Sequence, residues 1–165
     1  MFSAFKRSLP QISIFHNPSS PPSVNALNLL KAAVSSPYPP SKPNAPPLQF
    51  DLDVVESTPP TPDQLRTILS YLPSRSASLP PPSTFLSSHP TAPSPGEQPQ
   101  TLDGVTKLAS SNPSAFKWPV VVDWSGGRAS VGDVEGVKNI LEEIRKRRDG
   151  EVKDDDEYKP KGWFS

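Results

Sequence analysis

Apolar and polar residues alternate along several segments of this chain, and the alternation predicts its β-strands. It is clearest from Leu48 to Val54, where apolar residues alternate with glutamine and aspartate. This pattern is typical of a strand with one exposed face. A run of valines after Pro119, followed by a Ser-Gly-Gly turn, predicts a buried strand and a hairpin. The predicted strands cover residues 11–16, 48–55, 119–123 and 128–131, with the second at a sheet edge.

Helical spacing of apolar residues predicts four helices between and after these strands. The second has the clearest beginning, because Thr61 is a typical N-cap residue, Pro62 fits the first turn and Gln64 completes a capping box. The predicted helices cover residues 21–35, 62–72 and 101–110 and a last segment that begins after Asp133. Their predicted core residues are Val24, Leu27, Leu30 and Val34, then Leu65, Ile68, Leu69 and Leu72, then Leu102, Val105 and Leu108, and finally Val134, Val137, Ile140, Leu141 and Ile144.

The order of these elements predicts an α/β fold. Two strand-helix units come first, followed by a helical segment, a β-hairpin and a final helix. This order is the thioredoxin-like plan, in which a four-stranded mixed sheet has helices on both faces and an antiparallel hairpin at one side. A right-handed crossover between the first two strands fits the same plan.

Proline limits how much of the chain can form regular structure. The 165 residues include 24 prolines and 8 glycines, and only 33% of the residues are apolar. Proline-rich and serine-rich tracts at residues 36–47 and 73–100 are therefore predicted to be disordered and poorly packed inserts. They interrupt a thioredoxin-like domain predicted over residues 11–147, which a charged tail over 148–165 follows.

Charge and cysteine content exclude several classes of function. The 17 basic and 17 acidic residues balance, so we expect no nucleic-acid partner, and no apolar run is long enough to span a membrane. The absence of cysteine excludes disulfides, thiolate metal sites and thiol catalysis. His16 and His89 lie far apart, so we also expect no metal site and no cofactor. We expect a monomer.

The first ten residues have features of a mitochondrial targeting segment. They include Lys6 and Arg7 beside aromatic and serine residues, and no acidic residue occurs before Asp51. Residues 1–10 are therefore predicted to be a short transit peptide that leads to the mitochondrion. The alternative is a frayed terminus ahead of the first strand.

Two motifs resemble those of glutaredoxin-related arsenate reductases. The segment His16-Asn-Pro-Ser-Ser20-Pro-Pro-Ser23 resembles their H-N-P-x-C-x-x-S signature, with Ser20 in place of the cysteine. The segment Trp118-Pro119-Val-Val-Val resembles their R-P-I/V-V strand, with Trp118 in place of the arginine. The whole chain is also similar to a fungal family of small thioredoxin-like proteins described as mitochondrial redox proteins, which implies an oxidoreductase class.

The resemblance implies a candidate pocket where the first loop meets the start of the third strand. The candidate pocket consists of His16, Asn17, Ser20, Trp118 and Pro119, and the resemblance implies a cis peptide bond before Pro119. Free N–H groups at the helix start are expected to favour an anionic or carbonyl-bearing group. Trp118 is expected to form an apolar wall, and the alternative is that it packs into the core.

Ser20 has two interpretations. It is a nucleophile only if His16 points at it as a base, whereas the more common role for a serine before Pro21 is to cap the helix.

Three functions remain open. One is a redox enzyme that keeps no thiol chemistry of its own. Another is a non-catalytic module that binds a peptide or a glutathione-like ligand in the candidate pocket. The weakest is partner binding through polyproline segments, Pro37-Tyr-Pro-Pro40 and Pro80-Pro-Pro82.

Overall fold

A computed structural model describes residues 9–72 and 79–150 of the protein. Its strands are β1 (Gln11–His16), β2 (Asp51–Glu56), β3 (Val120–Asp123) and β4 (Arg128–Val131). Its helices are α1 (Pro21–Ser35), α2 (Pro62–Tyr71), α3 (Leu102–Ser111) and α4 (Val134–Arg148), with short 3₁₀ turns at Pro82–Phe85, Pro95–Glu97 and Pro113–Ala115. The predicted targeting segment, apart from residues 9 and 10, and the tail beyond residue 150 lie outside the described residues.

The four strands form one mixed sheet in the order β2-β1-β3-β4. Strand β1 pairs with β2 in parallel and with β3 antiparallel, and β3 pairs with β4 antiparallel. The hairpin between β3 and β4 turns at Gly127, whose φ of 67° suits glycine. The predicted thioredoxin-like α/β fold is confirmed by this topology.

The sheet separates two apolar clusters. On one face, α1 and α4 pack against Ile12, Ile14 and Val121. On the other face, α2 and α3 pack against Phe15, Val120 and Val122, together with a group of aromatic residues. Both faces of the central strands are therefore covered, as their short apolar runs predict.

Helix α1 buries a face that matches the predicted one only in part. Leu30 is fully buried as predicted, and Leu27 and Val34 are partly buried against the cluster of α1 and α4. The buried residues of α1 are Ser23, Ala26, Leu30 and Ala33, whereas Val24 is 37% exposed. The buried stripe includes three small residues, which let the helix backbone lie close to the sheet. The prediction is based on large apolar side chains. The buried face that it gives is therefore shifted by about one residue along the helix from the observed one.

Strand β2 lies at a sheet edge, as predicted, but it begins at Asp51 rather than at residue 48. Leu48 and Phe50 precede the strand and are buried in the cluster of α1 and α4. Val54 was predicted to share their buried face, and it is 38% exposed. An edge strand has a neighbour on one side only, so its side chains receive less cover.

The first proline-rich tract contains no helix or strand, as predicted, but it is anchored to the fold. The guanidinium of Arg148 donates hydrogen bonds to the carbonyl oxygens of Tyr38 (2.8 Å) and Pro46 (2.6 Å). Tyr38 is partly buried against the α1 and α4 cluster, and burial raises the pKa of its phenol. Most residues of the tract are exposed, as poor packing predicts, and the departure is the attachment of Tyr38 and Pro46 to an arginine on α4.

The second proline-rich tract enters the core. Pro82–Phe85 forms a 3₁₀ turn, Phe85 is 0% exposed, and its ring stacks on Phe116 with centroids 5.9 Å apart. Leu86 forms a β-bridge with Phe116. The prediction of a disordered, poorly packed insert is therefore wrong for residues 82–86. Proline restricts φ but does not prevent a turn that presents one large aromatic residue. Residues 73–78 lie outside the described residues.

Gly136 lets α4 lie against β4. A Cβ at this position would be 2.7 Å from the Cβ of Ser130 and closer still to its hydroxyl. We expect Gly136→Ala to destabilise the protein by about 1–3 kcal/mol, because overpacking outweighs the better helix propensity of alanine. Urea unfolding measures this change. The control Gly96→Ala has no atom within 4 Å of its new Cβ and should change stability little, and an equal loss in both variants would contradict the packing argument.

In the described part of the chain, no helix is long and apolar enough to cross a membrane.

Candidate functional site

The candidate pocket lies at one end of the sheet, where β1 ends and β3 begins. His16 is the last residue of β1 and pairs with Glu56, the last residue of β2. The register of β1 and β3 pairs Phe15 with Val120, so its next step places Pro119 opposite His16. Residues distant in sequence are thus neighbours here, as the topology requires.

His16 is held by a serine that the sequence prediction did not include. His16 is 6% exposed, and its Nδ1 lies 2.6 Å from the hydroxyl oxygen of Ser23, which is 0% exposed. The same oxygen accepts the backbone N–H of Asn17 at 3.0 Å. Ser23 therefore joins the end of β1 to the first turn of α1. The periodicity of large apolar residues contains no signal for Ser23, because it does not reveal the buried face of α1.

Ser20 occupies the N-cap position of α1, but its side chain makes no capping hydrogen bond. Its backbone N–H donates to the carbonyl of Asn17, and its carbonyl accepts the N–H of Val24, both at 3.0 Å. His16 is paired with Ser23 instead, so Ser20 has no histidine base. The helix-start interpretation is right about position, and the nucleophile interpretation lacks the base that it requires.

The start of α1 is poorer in hydrogen-bond donors than expected. Pro21 and Pro22 take up the first two helical positions and have no backbone N–H, and the N–H of Ser20 is already bonded. Of the first three helical residues, only Ser23 retains an N–H. The expectation of several free donors is therefore wrong. An anion bound at this helix start would lie near the positive end of the helix dipole, but it would have fewer backbone N–H donors than at most helix starts.

Trp118 packs into the core and does not form a wall of the candidate pocket. It is 6% exposed, its ring centroid lies 4.9 Å from that of Phe116, and its indole N–H donates to the carbonyl of Pro113 at 2.8 Å. The core-packing alternative for its side chain is therefore the correct one. Pro119 is buried, and the peptide bond before it is cis, as the resemblance implies.

The side chain of Trp118 has a hydrogen-bond partner, but its backbone has none among the described residues. Between described residues, no hydrogen bond uses its N–H or its C=O. The alternating pattern of the β1-β3 ladder makes residue 118 the next position that would bond across toward Asn17. Asn17 instead donates its N–H to Ser23, so the ladder stops there. One backbone donor and one backbone acceptor at this strand end therefore have no partner among the described residues.

Ser57 adds strained backbone to the same end of the sheet. Among the described non-glycine residues, Ser57 alone has a positive φ, which is 59°. Its N–H donates to the carbonyl of His16 at 2.8 Å. Non-glycine residues in this conformation are uncommon and concentrate at functional sites. The sequence contains no signal for it, since serine at this position is equally typical of an ordinary turn.

No group of three or more histidine, aspartate or glutamate residues suited to a metal ion occurs within residues 9–72 and 79–150. His89 lies in a surface turn, where its Nδ1 is 2.8 Å from the hydroxyl of Thr91.

Comparison with known proteins identifies the family. A family model described as "Protein of unknown function (DUF1687)" matches residues 2–132. The chain belongs to the DUF1687 family. The match runs from before β1 to the end of β4, so every candidate pocket residue of this DUF1687 protein lies inside it. No curated protein sequence matches the chain.

Solved structures similar to this DUF1687 chain include two arsenate reductases. A "putative arsenate reductase" from Yersinia pestis is 20% identical, with a TM-score of 0.48, covering 79% of this chain and 98% of its own. An arsenate reductase from Vibrio cholerae is 16% identical, also with a TM-score of 0.48, covering 82% of this chain and 98% of its own. Similarity this distant says nothing about the activity of the DUF1687 chain.

Proposed function

We propose that this DUF1687 protein is a thioredoxin-like binding module of the mitochondrial redox-protein class. It binds an extended peptide or a glutathione-like ligand at the candidate pocket and performs no cysteine chemistry of its own. The observation that carries the proposal is the open backbone N–H and C=O of Trp118, beside a Ser20 that has no histidine base.

The chemistry of Ser20 argues against catalysis by this chain. Thiol-disulfide exchange passes through a thiolate, and the sequence has no cysteine. A serine hydroxyl needs a positioned base, and the Nδ1 of His16 is engaged by Ser23 instead. Redox chemistry at this site would therefore require a thiol that arrives with the ligand, as glutathione would bring. That requirement links the binding role to the oxidoreductase class.

The backbone of Trp118 favours a ligand with a polypeptide-like backbone. One N–H and one C=O on the same residue match the C=O and N–H of an extended chain. The proline-rich start of α1 supplies few donors for a compact anion, which makes an arsenate-like oxyanion a poor fit. Asn17, half-buried in the loop, lies beside this strand end. Its Oδ1 accepts the N–H of Ser19 at 3.0 Å, which leaves its side-chain NH2 group for a ligand.

A ligand titration tests this proposal. We expect reduced glutathione or an extended pentapeptide to shift the backbone amide resonances of Asn17, Ser20 and Trp118 in a saturable way. Asn17→Ala should weaken the binding severalfold, because it removes a polar group next to the open backbone. The matched control Asn25→Ala removes the same side chain from the exposed surface of α1 and should leave binding unchanged. Unmoved amides at saturating ligand would show that this strand end is not a binding site.

The mitochondrial location rests on the basic residues of the first segment. We expect the full chain to be imported by isolated mitochondria in a manner that depends on membrane potential. Replacing Lys6 and Arg7 by glutamate should abolish import, because it reverses the charge that a matrix-targeting segment carries. The control replaces Lys31 and Lys42 by glutamate and should be imported normally. Equal import of both variants would remove the support for a targeting segment at residues 1–10.

A further inference from the structure

A groove of about 700 Å³ runs along β4, and none of the five candidate pocket residues lines it. This volume lies within the range of about 300–1,000 Å³ that is typical of ligand sites. One wall is α4, at Gly136, Asn139 and Ile140. The opposite wall is built from the end of α2 and from Pro80 and Thr84. The edge of the sheet is therefore enclosed from both faces.

The backbone of β4 presents hydrogen-bonding groups to this groove. Gly132 donates its N–H to the carbonyl of Pro119 at 2.7 Å, which continues the β3-β4 ladder by one step. Bonded pairs alternate in an antiparallel ladder, so Ser130 also bonds toward β3, whereas Ala129 and Val131 direct their N–H and C=O groups away from it. Between described residues, no backbone hydrogen bond uses these outward groups.

The groove is lined by two basic and two acidic residues, so their formal charges balance. Arg128 and Glu143 pair at 3.6 Å, and the carboxylate of Asp133 accepts the N–H of Glu135 at 2.9 Å. Lys117 is exposed and takes part in none of the ion pairs between described residues. Its side chain lies next to Gly132, at the Val131 end of the strand. Among the charged side chains of the groove, that of Lys117 is therefore the one left to pair with a ligand.

We propose that β4 accepts an extended acidic peptide of a partner protein as a fifth strand of the sheet. The outward groups of Ala129 and Val131 bond the peptide backbone, which supplies affinity, as in other cases of strand addition. Lys117 pairs with a carboxylate of the peptide, which supplies specificity and a preferred register. This site lies along β4 and not at the end of β1, so it is separate from the candidate pocket.

Hydrogen exchange of the full-length protein tests the proposal, with two probe peptides of the same length. The peptides are acetyl-Thr-Val-Glu-Val-Thr-amide and the same peptide with lysine in place of glutamate. We expect the glutamate peptide to slow amide exchange at Ala129 and Val131 and to bind more tightly than the lysine peptide. Lys117→Glu should weaken binding of the glutamate peptide by about fivefold or more and favour the lysine peptide. The control Lys31→Glu makes the same charge change on α1 and should leave both affinities unchanged.

Several results would overturn the proposal. Slow exchange of Ala129 and Val131 in the protein alone would show that this chain itself, or a second copy at high concentration, already covers the edge. Equal affinity for the two peptides, or equal effects of Lys117→Glu and Lys31→Glu, would remove the role of Lys117. Peptide-induced changes confined to residues 16–20 and Trp118 would assign binding to the candidate pocket instead.

Discussion

Replacing Phe85 by alanine is expected to lower the free energy of unfolding by about 3–5 kcal/mol, the usual cost of removing a fully buried phenylalanine. Phe85 is 0% exposed and stacks on Phe116, although it comes from a proline-rich tract that composition alone would treat as a linker. A loss of this size is a large part of the total stability of a small domain. Urea or guanidinium unfolding, followed by tryptophan fluorescence, measures it.

The control for this prediction lies in the same tract. Leu79 is 52% exposed, so Leu79→Ala should change stability by less than about 0.5 kcal/mol. A small effect of Phe85→Ala, similar to that of Leu79→Ala, would mean that the tract does not contribute to the core. A large effect of Phe85→Ala alone would show that this turn is part of the folded domain.

The aromatic residues connect this turn to the candidate pocket. Phe85 stacks on Phe116, and Phe116 meets the ring of Trp118 at 4.9 Å. The N–H of Lys117 donates to the carbonyl of Phe85 at 2.7 Å, which ties the turn to the residue before Trp118. Loss of the Phe85 ring should therefore loosen the strand end that we propose as a ligand site, in addition to destabilising the core.

Elements with strong local signals could be predicted from the sequence. The bounds of β1, β4 and α1 agree with the prediction, and α2 begins at Pro62 with both hydrogen bonds of its capping box present. These signals act over a few residues: an apolar run, a turn glycine, a cap. The fold followed from their order because few connections between such elements are allowed.

Features that depend on tertiary contacts could not be predicted. The buried face of α1 is chosen by how closely its backbone approaches the sheet, which Ala26 and Ala33 allow and which periodicity of large residues does not reveal. The pairing of His16 with Ser23 also requires the geometry of the loop between them. The side chain of Trp118 points into the core because its ring packs against Phe116 and its indole N–H donates to the carbonyl of Pro113.

One error in the predicted site was avoidable. The donors at the start of α1 are missing because Pro21 and Pro22 have no N–H, and both prolines are visible in the sequence. Proline at the first helical position is a helix-start signal, and it also removes a backbone donor that an anion would need.

A cysteine introduced at Ser20 is expected to be a reactive thiol, because it lies at the start of α1. The purified protein should catalyse thiol-disulfide exchange no faster than the uncatalysed background, because it has no cysteine. In Ser20→Cys, the positive end of the α1 dipole stabilises the thiolate, so the pKa of the new thiol should lie below the free value of about 8.5. The pH dependence of alkylation by iodoacetamide reports that pKa.

The opposite end of the same helix provides the matched control. Ser35 is exposed in the last turn of α1, where the dipole is negative, so the thiol of Ser35→Cys should have a pKa at or above about 8.5. While both pKa values lie above 7, each unit of difference between them changes the thiolate fraction at pH 7 roughly tenfold. The Ser20→Cys variant should therefore react several times faster than Ser35→Cys at that pH.

Restoring a lost donor sharpens the prediction. Adding Pro22→Ala to Ser20→Cys returns a backbone N–H to the second position of α1, and a further hydrogen bond to the thiolate should lower the thiol pKa again. The order of thiol pKa values should be Ser20→Cys with Pro22→Ala, then Ser20→Cys, then Ser35→Cys. If the Ser20→Cys thiol titrates no lower than the Ser35→Cys thiol, Ser20 does not occupy the position at which thioredoxin-like proteins activate a cysteine. If only the donor-restored variant is activated, the missing N–H of Pro22 is what prevents activation of a thiol at this position.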